Sequence, residues 1–126
     1  MNHQYQLGLL CLTHLLISAD GTVDENEIDA LRLIKLSENI TDDTFAEFEH
    51  LIDGRKDREI FQLSIELLNS CTTEEKLRAF VLLYKLSEVD GRVHVREIRL
   101  LLYSIQRAEI DFDIVVNKAQ LTPSLF

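Results

Sequence analysis

Proline occurs once in the 126 residues, glycine four times and tryptophan not at all. Sandwiches, barrels and dinucleotide-binding α/β folds reverse direction often and need more of these turn residues. Their shortage points to helices joined by short connections. Cysteine is nearly as scarce: Cys11 and Cys71 lie far apart in apolar stretches, with no Cys-x-x-Cys and no Cys/His group at zinc-ligand spacing. Neither a disulfide framework nor a zinc module is expected from that pattern, and buried thiols in a reducing compartment fit it. Base is also in short supply, with 13 Lys and Arg against 22 Asp and Glu, a net charge of −9. Nucleic acid and anionic membranes repel such a chain, so neither is expected as its main partner. No glycine-rich phosphate loop, Gly-x-Ser-x-Gly elbow or His-Glu-x-x-His pair occurs, and no enzymatic activity is expected.

What the chain does have is apolar residues, 46% of the total, in a length suited to one domain spanning residues 1–126. The apolar run from Leu7 to Ala19 is too short to cross a bilayer, and no Lys or Arg precedes it as a secretory signal would require. A cytoplasmic location without membrane insertion is therefore expected. The Asn39-Ile40-Thr41 acceptor pattern would matter only in a secreted protein. The acid is concentrated: residues 20–53 hold 11 acids and 2 bases, a net of −9 that equals the charge of the whole chain. Such a run is either a solvated helical face or a docking surface for cations or a basic partner.

A shift of 70 residues aligns the two ends without a gap. Leu12, Leu16, Asp20, Gly21, Val23, Glu27, Ile28, Leu31, Ile40 and Asp43 fall on Leu82, Leu86, Asp90, Gly91, Val93, Glu97, Ile98, Leu101, Ile110 and Asp113, ten identities in 32 positions. Two copies of one supersecondary unit, packed about a pseudo-two-fold axis, would produce this pattern.

Periodicity predicts an all-α chain of about seven helices. The first, His3 to Ala19, is apolar nearly all round and belongs in the centre, with His14 as a core histidine. The second runs from Asp24 to Ser37, with Asp24 and Glu27 resembling a capping box. Thr41 caps a third, with Phe45, Phe48 and Ile52 inward, and Gly54 ends it. Lys56 to Ser70 forms a fourth, with Ile60, Leu63, Leu67 and Leu68 inward. Thr72 and Glu75 make a capping box for the fifth, Thr73 to Val89. A sixth from about Val95 to Arg107 and a short seventh from about Asp111 to Ala119 complete the set. The expected organisation is repeat A at about residues 7–53, a connector helix at about 56–70, repeat B at about 73–119 and a tail at 120–126.

The best-kept part of the repeat is Asp-Gly-x-Val-x-x-x-Glu-Ile, at Asp20 to Ile28 and again at Asp90 to Ile98. Glycine permits the reversal, valine enters the core, and the glutamate meets the positive end of the following helix. The spacing matches the second half of an EF-hand loop, but the earlier ligand places fall on Leu16, Ser18, Leu86 and Glu88, which excludes a true EF-hand. A partial carboxylate site remains: Asp20, Asp24 and Glu27 at the first turn, with Asp90 and Glu97 at the second. Arg92, Arg96, Arg99 and His94 crowd the second and should weaken its hold on a cation.

Two copies of Ala/Val-Asp-Gly-x-Val-x-x-x-Glu-Ile in a helical chain resemble the tellurite-resistance TerB-like family, over roughly residues 7–119. The resemblance implies an all-α module linked to tellurite and general stress resistance. It implies that Asp20 and Glu27, and then Asp90 and Glu97, hold a divalent cation such as calcium, magnesium, manganese or zinc, weakly. The alternative is a metal-free cytoplasmic adaptor that holds an unidentified protein partner on its acidic surface. Self-association is a further expectation, because Leu125 and Phe126 leave an apolar end.

Overall fold

The computed structural model describes residues 3–17, 25–88, 103–104 and 106–121, with side chains at 3–16, 29–86, 103–104 and 106–121. Six helices lie among them: α1 (His3–Ile17), α2 (Glu25–Ser37), α3 (Asp42–Ile52), α4 (Asp57–Asn69), α5 (Thr73–Glu88) and α6 (Phe112–Leu121). No strand occurs among the described residues. Residues 103–104 and 106–107 are helical and lie where the sixth of the seven expected helices would end; the rest of that helix falls outside the described residues.

α1 sits at the centre because its sequence leaves it almost no polar face. Tyr5, Leu7, Leu9, Leu10, Cys11, Leu12, Leu15 and Leu16 are all buried. It touches α2, α3, α4 and α5, while α6 packs on α5. The crossing of α1 and α4 is the most extensive contact among the described helices, and Gly8 faces Leu67 and Leu68 within it. A Cβ built there would stand 2.9 Å from Leu68 Cγ, closer than packed carbon atoms come.

Local chemistry fixes the ends of these helices. Thr41 Oγ1 accepts from the Thr44 N–H at 3.2 Å, and Asp42 and Asp43 place negative charge in the first turn of α3. Gly54 follows α3 at φ 72°, where a side chain would be strained. At α5 the capping box closes in both directions: the Glu75 N–H donates to Thr72 Oγ1 at 3.1 Å, and the Thr72 N–H donates to Glu75 Oε1 at 3.0 Å.

Among the described residues, two non-glycine residues adopt positive φ: Asn39 at 52° and Glu109 at 59°. They are 70 positions apart, and their surroundings correspond. The Glu38 and Ala108 N–H groups donate to Ile34 and Ser104, each at 3.0 Å. Those of Asn39 and Glu109 donate to Leu36 and Gln106, and those of Phe45 and Val115 to Thr41 and Asp111. Burial follows the same offset over part of the long helices. Residues 7 and 9–13 of α1 are buried, and so are 77 and 79–83 of α5.

On α3, Phe48 is buried as expected, while Phe45 and Ile52 are half-buried against the core; on α4, Ile60 and Leu68 are buried as expected. Its buried residues are Ile60, Ser64, Ile65 and Leu68, while Leu63 and Leu67 are half-buried. Ser64 can take an inner place because its hydroxyl donates to the Ile60 carbonyl at 2.7 Å and so leaves no unpaired donor.

Candidate functional site

The residues expected to hold a cation are Asp20, Asp24, Glu27, Asp90 and Glu97. Four of them lie outside the described residues; Glu27 is in the first turn of α2, with its side chain likewise outside the description. Among the described residues, no group of three or more His, Cys, Asp or Glu side chains could hold a metal ion.

The polar centre that the structure does describe was not legible in the sequence. Glu38 closes α2, and its side chain is only 1% exposed. Three side chains converge on it. The Tyr5 hydroxyl donates to Oε1 at 2.6 Å, Arg78 Nε donates to the same oxygen at 2.8 Å, and Arg78 Nη2 donates to Oε2 at 2.8 Å. The Gln6 amide donates to the Glu38 backbone carbonyl at 3.3 Å. Burial alone would push the Glu38 carboxyl up, but the Arg78 guanidinium and the Tyr5 hydroxyl outweigh it and hold the group below the usual carboxylate value. Burial first, and then the adjacent Glu38 charge, pushes the Tyr5 phenol upward, so it stays a neutral donor. Hydrogen bonding to Glu38 raises Arg78 in turn. With its charge neutralised and its oxygens occupied, this glutamate is suited to holding α1, α2 and α5 together rather than to proton transfer.

No spacing rule points to these partners, because Tyr5 and Arg78 lie 33 and 40 residues from Glu38. The one available signal is an acid at the end of an apolar helix with a tyrosine and an arginine on two other apolar helices. That signal does not fix which residues meet.

An open groove of about 590 Å³ runs along α1, α3 and α4, with His14, Glu49, His50, Asp53, Arg55 and Asp57 in its lining. His14, expected in the core, is half-buried there, its ring edge-on to Phe48 with centroids 6.4 Å apart. The two cysteines are poor nucleophiles: burial pushes the Cys11 thiol up to about 11, and burial also raises Cys71. On the acidic stretch, the Lys35 ammonium beside Asp42 holds that carboxyl below its ordinary value. None of the described helices is long and apolar enough to cross a membrane.

No protein-family model, curated protein or solved structure matches the chain.

Proposed function

We propose that this chain is a non-enzymatic, TerB-like stress-response module, built as two copies of a three-helix unit joined by α4. In this reading it binds a divalent cation weakly at the Asp20–Glu27 turn, with Asp24 as a further ligand. The doubled Asp-Gly-x-Val-x-x-x-Glu-Ile motif carries the proposal. The matching helix ends 70 residues apart, with Asn39 and Glu109 both at positive φ, support the two-copy part of it. Three carboxylates around one turn are hard oxygen donors of the kind that calcium, magnesium or manganese prefers. The second turn, with Asp90 and Glu97, is the weaker site because its arginines repel a cation.

Thermal melting of chelator-treated protein with each divalent ion in turn tests this reading, against an Asp20→Asn/Glu27→Gln variant. An ion at a hundred times its dissociation constant would stabilise the fold by roughly 2.7 kcal/mol. For a chain of this size that is on the order of 10 °C in melting temperature. A shift that the variant loses supports the site; unchanged melting with every ion removes it.

The second reading is a metal-free adaptor. Its support is α3, where Asp42, Asp43, Glu47 and Glu49 are all exposed. A basic protein partner held there would resist chelator and release as salt rises.

A further inference from the structure

Hydrogen bonds inside each half of the chain recur; the ionic bond between the halves does not. Near the start of α1, Gln6 donates to the carbonyl of residue 38; near the start of α5, Lys76 donates to the carbonyl of residue 108, at 3.1 Å. Donors and acceptors are each 70 positions apart. In the middle of α1 and α5 the buried positions also correspond, with residues 7 and 9–13 set against 77 and 79–83, although Leu15 and Leu16 are buried where Lys85 and Leu86 are half-buried. The correspondence fails at one position of that run. Arg78, which reaches across to Glu38, has Gly8 as its counterpart, and Glu38 has Ala108. Gly8 cannot form an ion pair, and its missing side chain is what lets Leu68 of α4 approach.

That asymmetry matters in a duplicated protein. Two units with the same apolar pattern can also pair with themselves across chains, and hydrophobic burial is a poor discriminator because it has no direction. A first half meeting a second copy of itself would set Glu38 against Gly8, leaving a buried carboxylate without its cation. A second half meeting itself would set Arg78 against Ala108. Both leave a charge unmatched, and penalising the wrong partner in this way is an effective route to specificity.

We infer that the Glu38–Arg78 pair, steadied by Tyr5, is a pairing lock that makes the first half of the chain accept the second and reject a copy of itself. The inference rests on the two-copy reading above; it does not need a bound cation.

Two full-length variants test it: Glu38→Gln, which keeps the side-chain shape, and Tyr5→Phe/Glu38→Leu/Arg78→Met, which replaces the whole cluster with apolar groups. Each is unfolded in urea, refolded, and compared with the parent by light scattering and amide NMR. The expected result is a helical protein that has lost the parent's single mass or single set of amide cross-peaks. If both variants keep both properties, the lock is wrong. If the triple variant does not refold, Glu38→Gln decides alone by the same criterion. Gln6→Ala and Lys76→Ala separate the two levels of the argument. Both should lower the melting temperature even if the lock fails. A loss from one with none from the other would remove the two-copy reading and the lock with it.

Discussion

Arg78 holds Glu38 by both arms of its guanidinium fork, Nε on one carboxylate oxygen and Nη2 on the other, each at 2.8 Å. The two residues differ in exposure: the Glu38 side chain is 1% exposed and that of Arg78 is 50% exposed. The cost of breaking the pair therefore falls mainly on the glutamate. Truncating one member of a fully buried pair costs about 3–5 kcal/mol, and solvent at the arginine reduces this, so Arg78→Ala should cost about 2 kcal/mol. Arg78→Lys should recover only part of the loss, since an ammonium cannot span both oxygens. Urea unfolding at neutral pH measures both. Equal stability of Arg78→Ala and the parent would mean that the pair contributes nothing.

The same contact sets a pH dependence. The folded-state value of Glu38 is depressed, so the stability it contributes is fully present above the unfolded carboxylate value, about 4.3 for glutamate. It is lost as pH falls through the lower folded value. The side chains in contact with its carboxylate are those of Tyr5 and Arg78. Tyr5 and Arg78 keep their protons throughout that window, so the change comes from the carboxylate itself. The parent should hold its stability down to about pH 4.5 and then lose it. Glu38→Gln should start lower at neutral pH and lose less on acidification. Parallel stability curves for the two proteins would count against this assignment.

Local chemistry was legible in the sequence at three described helix ends, where neighbours along the chain decide the outcome; the Asp24–Glu27 capping box lies outside the described side chains. Thr72 and Glu75 form the reciprocal capping box expected of them, Thr41 caps α3, and Gly54 takes the positive φ that ends it. The central place of α1 was legible too, because a helix apolar on every side has nowhere else to go. Glu38 was not. Its partners come from α1 and α5, and periodicity ranks positions by burial without saying which polar groups meet. On α4 the expected Ile60 and Leu68 are buried and Leu67 packs against the core, but Ser64 was missed, because it reads as a surface residue until its bond to the Ile60 carbonyl is known. The Asp20, Asp24, Glu27, Asp90 and Glu97 carboxylates stand as sequence inferences, outside the described side chains.

Gly8 tests the close approach of α4 to α1. Alanine favours an exposed helix interior over glycine by about 1 kcal/mol, so Gly8→Ala would stabilise an open site. Here the added methyl would meet Leu68 Cγ at 2.9 Å and Cδ2 at 3.1 Å, and Leu68 is fully buried. Overpacking of this kind costs about 1–3 kcal/mol, which exceeds the propensity gain. Gly8→Ala should therefore lower the urea midpoint and Gly8→Val should lower it further. A higher midpoint for the alanine variant would show that α1 and α4 do not approach this closely.

Asn39 and Glu109 share a backbone conformation but differ in their fitness for it. A left-handed residue brings its Cβ against a carbonyl oxygen at a cost of roughly 1–2 kcal/mol, and asparagine tolerates this better than glutamate. Glycine removes the clash but gives back about 0.5–1 kcal/mol through the greater freedom of the unfolded chain. Glu109 is exposed, so its side chain contributes little packing that glycine would lose. Glu109→Gly should therefore raise stability by about 0.5 kcal/mol, whereas Asn39→Gly should be close to neutral. Valine at either position should cost more than 1 kcal/mol, because β-branching aggravates the clash. Urea midpoints at an unchanged slope give the ranking directly. If Asn39→Gly gained more than Glu109→Gly, strain would not be what distinguishes the two turns, and packing around the Glu109 side chain would have to account for the difference.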